Sequence, residues 1–467
     1  MRPIESTDQL KLLVEQLTAE GNFELALGQI RDTVSAAFLT SRRHQMLCFG
    51  SVQLDELCTE LGHQICAQIA DTSPPLRSRN ENEAPLDLYV ATHIYDEGGH
   101  TPLIGDFIRG NSERRAFLAI TNVDNAMSGV TQTILDYAGV SASQTALCTE
   151  PTLLEKFRWL RDMIARLNPA RVFLFNHPHD SVAISACAAL VHSNLVFVHH
   201  VDRNPCLGAF LESALHLDIS PFCYFCCREK AGIVRNVFVP LVAKDEGFRP
   251  FGDGRLQTRP LITASAGNEV KFRLDYVPNY IDAVVELLRR GGGRHIHIGR
   301  LSKDYVRRFR LALREADISD DRIMFVLNVP SVWKAMLEFG VDLFINSFPE
   351  RGARTSVEVM GSGTPIVWHV GRAETWFHDT HLKYAEAETW QTLDDLLGIV
   401  QNINDGWLKV QSQAARRHYE HFHVPSLISQ YLSEDPILGC EMQLDTSNFD
   451  QPALRLLNEI ISTEKND

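Results

Sequence analysis

The chain has 467 residues, 45% hydrophobic and 22% charged, with a formal net charge of −14. That length exceeds one ordinary core and predicts two domains with additions. The composition excludes a disordered chain, and the acidic balance argues against a nucleic-acid binder, which carries a basic stripe.

No apolar run reaches the roughly 18 residues that span a bilayer. The start, Met-Arg-Pro-Ile-Glu-Ser-Thr-Asp, lacks the apolar segment of a secretory signal. The default expectation is a cytoplasmic protein with no transmembrane segment. Leu10, Leu13 and Leu17, then Phe23, Leu27 and Ile30, recur at helical spacing on either side of Gly21-Asn22. Residues 1–84 are therefore read as a helical extension, with a polar linker from Asp71 towards Pro85. This extension offers a surface to a protein partner.

From Leu86 the pattern changes. Short β-branched runs (Leu86–Thr92, Ala116–Thr121, Arg171–Phe175, Leu195–His200, Leu215–Ile219, Val237–Pro240) alternate with helical stretches such as Leu153–Leu167 and Ser181–Val191. Alternation of this kind predicts an α/β domain with a parallel, doubly wound sheet over residues 85–250. Within it, Cys223, Cys226 and Cys227 lie in Pro-Phe-Cys-Tyr-Phe-Cys-Cys, which reads as a buried strand with reduced thiols. A zinc site there would need a fourth ligand, and no metal is expected. Residues 241–258 are glycine-containing and read as a linker. A second series follows: Leu261–Ala264, Arg294–Ile298, Ile323–Leu327, Leu343–Asn346 and Pro365–His369. It predicts a second Rossmann-like domain over 258–425, and 426–467 is read as C-terminal helices. Two such domains facing across a cleft would bind ligand at the carboxyl ends of their strands.

The second domain holds the sharpest constellation. Strand Leu343-Phe344-Ile345-Asn346 runs into a loop with Glu350, Gly352, Arg354, Thr355, Ser356 and Glu358, and a helix is expected from about Arg354–Thr355. Gly352 admits a ligand close to the backbone. Thr355 and Ser356 stand at a helix N-terminus, which favours a phosphate. Carboxylates beside a phosphate site repel it unless they bind hydroxyls, as a sugar and a ribose provide. The physical reading is a nucleotide diphosphate sugar.

Glu350-x7-Glu358 followed by Gly363-Thr364-Pro365 resembles the motif of retaining GT-B glycosyltransferases of the glycogen-synthase and sucrose-synthase kind. The resemblance implies that Glu350 contacts the donor sugar and Glu358 the ribose. It also implies that Lys271, after the loop Ser265-Ala266-Gly267-Asn268, reaches the donor phosphates; Ser265 and Asn268 belong to the same donor site. Family members often carry an arginine where Ser265 or Ala266 stands here, so that either one cation is missing from this site or Arg273 substitutes for it. Asn328, after strand Ile323–Leu327, is a base contact by the same resemblance.

In the first domain Gly98 and Gly99 follow the first strand, as GT-B enzymes place a Gly-Gly loop against the donor diphosphate. His100 resembles the histidine beside the reacting centre of O-GlcNAc transferases, which are inverting. His177, His199, His200 and Asp202 also stand at carboxyl strand ends and are read as acceptor or sugar contacts, with His200 and Asp202 paired. The expected activity is hexosyl transfer from a UDP-sugar, with retention, to an acceptor that the sequence does not identify. No cofactor is expected beyond the nucleotide sugar. The alternatives are an inverting protein glycosyltransferase, a UDP-sugar epimerase and a non-catalytic GT-B-like partner.

Overall fold

The computed structural model describes residues 7–44, 48–69, 83–96, 98–191, 194–201, 204–229, 231–252, 254–291, 293–370 and 382–432. They divide into two units. One runs to Pro240 and takes up the chain again from Ser426; the other is Leu241–Pro425. No helix among the described residues is long and apolar enough to cross a membrane.

The first unit begins with three helices, α1 (Thr7–Ala19), α2 (Phe23–His44) and α3 (Val52–Gln68). Among the described residues seven strands follow: β1 (Leu86–Ala91), β2 (Arg115–Ile120), β3 (Thr145–Leu147), β4 (Arg171–Phe175), β5 (Leu195–His199), β6 (Ala214–Asp218) and β7 (Asn236–Phe238). Between them lie α4 (His100–Gly110), α5 (Gln132–Ala138), α6 (Leu153–Leu167), α7 (Ser181–Leu190) and α8 (Pro221–Glu229). All pairings are parallel, and the spatial order is β3-β2-β1-β4-β5-β6-β7. Ala91 stands beside both Ile120 and Phe175, so the strand order reverses between β1 and β4.

The N-terminal helices belong to this unit's core. Leu10, Val14, Leu27, Ile30, Leu61 and Ile65 pack with residues of α6 and α7 over one sheet face. Gly62 permits the α3–α7 contact, because a β-carbon there would stand 2.1 Å from the Ser185 carbonyl oxygen. Glu24 accepts from the backbone of Leu153 and Leu154 and so caps α6. The apolar stripe of these helices is filled from inside the unit. The opposite sheet face is aromatic: Tyr89 stacks on Phe173 at 5.0 Å, and Phe107 of α4 sets its edge on Phe175.

The second unit contains α9 (Arg255–Thr258), β8 (Ile262–Ala266), α10 (Tyr280–Gly291), β9 (Arg294–Ile298), α11 (Lys303–Glu315), β10 (Ile323–Val326), α12 (Val332–Glu338), β11 (Leu343–Ile345), α13 (Ala353–Gly361), β12 (Ile366–His369), β13 (Thr389–Trp390), α14 (Leu393–Gln401) and α15 (Asp405–Phe422). Its sheet is parallel, in the order β10-β9-β8-β11-β12-β13. Numbered within each unit, both sheets share the order 3-2-1-4-5-6, that of the Rossmann fold. The last described helix, α16 (Leu427–Tyr431), returns to the first unit and packs near α4. The remainder of the expected C-terminal helical region, 433–467, lies outside the described residues.

The two ends of each sheet differ in chemistry. At the amino end of β1, buried Asp87 is held by Arg114 and Arg171. At the amino end of β11, buried Asp342 is held by Arg255 and Arg259. These paired charges lock the strand starts and leave the carboxyl ends for ligands. One segment departs from the sequence expectation. Pro221–Glu229, with Cys223, Cys226 and Cys227, is helix α8 rather than a strand. A short apolar run carries no periodicity that separates the two.

Candidate functional site

In the second unit the order reverses between β8 and β11, and the loops leaving these strands meet. The loop after β8 turns at Gly267 (φ +154°). A β-carbon on Gly299 would stand 2.1 Å from the Gly267 carbonyl oxygen, so glycine there lets the neighbouring loops close up. Lys271 then extends to the loop after β11 and donates to the Arg351 carbonyl at 3.1 Å. Its Nζ lies 3.4 Å from the place of a β-carbon on Gly352, and Thr355 Oγ1 lies 3.2 Å from the same point. Gly352 is the N-cap of α13 and has no side-chain cap. An ammonium, a hydroxyl and the first N–H groups of a helix thus converge on one glycine, which suits an anion.

The other expected donor residues divide. Glu350 is half-buried and makes no hydrogen bond or ion pair among the described residues; its carboxylate acts electrostatically on Arg273 and leaves its hydrogen-bonding positions for a hydroxyl. The Asn268 side chain is exposed beside Lys271, and Asn328 is exposed on the loop after β10. Glu358 is engaged: Oε2 accepts from the backbone of Val332 (2.9 Å) and Trp333 (3.3 Å), and Oε1 accepts from Arg354 Nε (3.1 Å). It caps α12 and ties it to α13. Arg354 also donates to the Val242 carbonyl. Ser356 donates back to the Gly352 carbonyl, and Ser265 donates to the Ile345 carbonyl; both are fully buried. These two hydroxyls hold the loops and do not open outwards. Arg273 is paired with Asp275.

In the first unit the reversal lies between β1 and β4. Asp180 accepts from Thr92 and Thr121 and from the Ala183 backbone, tying the ends of β1 and β2 to the start of α7. Gly98 is left-handed (φ +83°), and a β-carbon there would meet nothing within 4 Å. Gly99 is the N-cap of α4, again without a side-chain cap. His100 Nε2 donates to the Phe175 carbonyl at 3.0 Å. That fixes the tautomer, so Nδ1 carries the lone pair; it is buried and has no hydrogen-bond partner.

His100 sits in a cluster of imidazoles. Ring centroids lie 4.6 Å away at His200, 5.3 Å at His177 and 6.5 Å at Tyr95. Tyr95 stacks on His177, and His93 meets His177 edge-on at 5.2 Å. Burial, reinforced by His200 and His177, holds His100 well below the usual histidine range. Burial and neighbouring imidazoles also lower His177 to about 3, and burial lowers His200 to about 4. All three are neutral at physiological pH and present lone pairs or N–H groups rather than charge. His179 differs: Asp124 stands 2.8 Å from its Nε2 and raises it against the opposing effect of burial.

Sequence reasoning missed His93, Tyr95 and His179, whose signal was their place in loops directly after β1 and β4. It grouped His199 with His200, but adjacent strand residues point to opposite faces. The structure turns His199 away from the cluster, towards Asp218. Asp202 lies outside the described residues.

No protein-family model and no curated protein matches the sequence. Solved structures match the fold. Anabaena HepE, in complex with UDP and glucose, is 13% identical with a TM-score of 0.53, over 75% of this chain and 98% of its own. The lipopolysaccharide outer core galactosyltransferase WaaB is 14% identical with a TM-score of 0.51, over 74% and 98%. A point mutant of the O-GlcNAc transferase from Thermobaculum terrenum is 13% identical with a TM-score of 0.50, over 91% and 82%. The α/β architecture with two parallel sheets is that of GT-B glycosyltransferases.

Proposed function

We propose that this chain is a hexosyltransferase that moves a hexose or N-acetylhexosamine from a nucleotide sugar, with UDP as the favoured nucleotide, to an acceptor nucleophile. The observation that carries this reading is the meeting of Lys271, Thr355 and the α13 N-terminus at Gly352, with the open Glu350 carboxylate on the same loop. The cation and helix amides take the donor diphosphate, whose charge grows as the glycosidic bond breaks. Glu350 takes a sugar hydroxyl. The complexes of HepE with UDP and with UDP-glucose support a UDP-sugar as donor. No further cofactor enters the reading.

Resemblance of the Glu350–Glu358 spacing to retaining enzymes favours retention, in which the departing phosphate takes the acceptor proton. One observation favours inversion instead. His100 offers an unpartnered, neutral Nδ1, the group an inverting enzyme needs as base. Proton NMR of the first-formed anomer separates the two.

The test of the whole reading is thermal melting with UDP, UDP-glucose, UDP-galactose, UDP-N-acetylglucosamine and GDP-mannose, for the natural chain and Lys271→Met. A ligand that binds only the folded state raises the melting temperature. A rise with a UDP-sugar that disappears in Lys271→Met is expected. No rise with any of the five at millimolar concentration overturns the proposal.

A further inference from the structure

Four metal-ligating side chains outside the proposed transfer chemistry meet inside the first unit. His199 ends β5, and His216 and Asp218 stand on one face of β6. Cys227 lies on α8, which packs against β6. The β5–β6 register sets His199 beside Asp218. None of the four is more than 3% exposed.

Their donor atoms converge. His199 Nδ1 is 2.9 Å from Asp218 Oδ1, 3.3 Å from His216 Nε2 and 3.5 Å from Cys227 Sγ. His216 Nε2 is 3.3 Å from Asp218 Oδ1. All four atoms lie within 4.8 Å of one another. Around a tetrahedral zinc, with Zn–N near 2.0–2.1 Å and Zn–S near 2.3 Å, donors stand roughly 3.3 Å apart for nitrogen or oxygen pairs and roughly 3.6 Å for nitrogen and sulfur. Of the six separations, three fall on those edges and one is shorter; the remaining two, from Cys227 Sγ to His216 Nε2 and to Asp218 Oδ1, lie within 4.8 Å.

The proton positions agree. His216 Nδ1 donates to the Ala209 carbonyl at 3.0 Å, so neutral His216 turns a bare Nε2 lone pair towards the Asp218 carboxylate. With no cation, only a proton shared among His199 Nδ1, His216 Nε2 and Asp218 Oδ1 keeps these atoms from repelling. With a cation, the Ala209 carbonyl is the outer partner that orients a ligating imidazole, and Asn236, donating to Asp218 Oδ2 at 3.1 Å, orients the carboxylate. A dication, one thiolate, one carboxylate and two neutral imidazoles sum to zero charge, which lowers the cost of burial.

We infer that the first unit holds a structural zinc ion bound by His199, His216, Asp218 and Cys227. Four protein ligands and full burial make the site closed, so the ion acts as a cross-link and not as a reagent. Cys227 binds as its thiolate and its proton leaves to solvent. The ion joins β5, β6 and α8 one residue before His200, and so holds the back of the imidazole cluster in place. The Cys-x-x-Cys-Cys run is one ligand of this site, and the sheet supplies the other three. The inference is independent of the proposed sugar transfer.

The full chain, produced with zinc present and purified without chelator, is assayed for metal by mass spectrometry. About one zinc per chain is expected. Cobalt(II) substitution is expected to give the strong visible bands of a tetrahedral site with a thiolate-to-cobalt charge-transfer absorption. That absorption disappears in Cys227→Ser and persists in Cys226→Ser, which alters a thiol of the same helix outside the cluster. Metal well below one equivalent in the folded natural chain, with no gain in melting temperature when zinc is returned after chelation, overturns the inference. So does a cobalt spectrum unchanged by Cys227→Ser. The metal measurement is made on the natural chain, so it does not depend on whether a variant folds.

Discussion

Lys271 donates to the Arg351 carbonyl at 3.1 Å, and its ammonium stands 3.4 Å from where a β-carbon of Gly352 would lie. The lysine is thus positioned by the loop it serves, before any ligand arrives. Hydrogen bonds to charged groups contribute about 1.5–3 kcal/mol, so Lys271→Met should weaken UDP binding by roughly ten- to a hundredfold. Gly352 has an extended backbone that any residue adopts (φ −102°). Gly352→Ala should therefore fold, but its methyl group must displace Thr355 or Lys271. A loss of roughly tenfold in UDP affinity with little change in melting temperature is expected. Calorimetric titration of both variants reads this, and an unchanged affinity in Lys271→Met removes the lysine from the donor site.

Glu358 presents a choice between a ribose contact and a structural tie. Its carboxylate already caps α12 at Val332 and Trp333 and pairs with Arg354. Losing a cap costs about 1 kcal/mol, up to about 2. Glu358→Ala is expected to lower the unfolding free energy by that amount in urea. A variant with natural stability and lost UDP binding would instead make Glu358 a ligand contact alone.

His100 can act as a base only when neutral, and its environment keeps it neutral. Burial first, then His200 and His177, hold it well below the usual histidine range. The acid limb of kcat/KM, which reports the free enzyme, should therefore lie below the ordinary histidine region. His100→Ala should reduce kcat by about 10²–10⁴ with donor KM nearly unchanged, the effect of removing a proton acceptor. An unaltered kcat in that variant supports the retaining reading, which needs no protein base.

The sheet carboxyl ends were legible because both units repeat one pattern: a short apolar run, a polar or glycine-bearing loop, then a helix. Leu86–Ala91 and Leu343–Ile345 stand out this way, and so do the loops that follow them. Strands β3 and β13 were not: Thr145–Leu147 is only half-buried and Thr389–Trp390 has one exposed residue of two, so neither shows the continuous apolar run of a buried strand. At the site, Lys271 and Glu350 were found through their loops. That Glu358, Ser265 and Ser356 already have partners follows from α12 and the adjacent backbone, which residue spacing does not encode. His216 and Asp218, two apart on one strand, were readable as facing the same way. Their meeting with Cys227 required the packing of α8 on β6.

Asp55 on α3 links the N-terminal helices to the loop after β5, and it does so as a buried acid. Only 1% exposed, it accepts from the backbone of Gly208 (2.7 Å) and Phe210 (2.8 Å). Burial pushes its carboxyl up to about 7, against the lowering effect of those two bonds. An unfolded aspartic acid ionises near 3.9. Between these values the folded chain keeps a proton that the unfolded chain has lost, so stability falls as pH rises. The contribution is fully present below about pH 4 and is lost as pH passes about 7, on the order of 4 kcal/mol in all. Asp55→Asn removes the ionisation but leaves an amide facing two N–H donors. It should be less stable than the natural chain near pH 5 and approach it by about pH 8. Urea midpoints across that range test this, and parallel curves for the two proteins would rule out Asp55 as the group responsible.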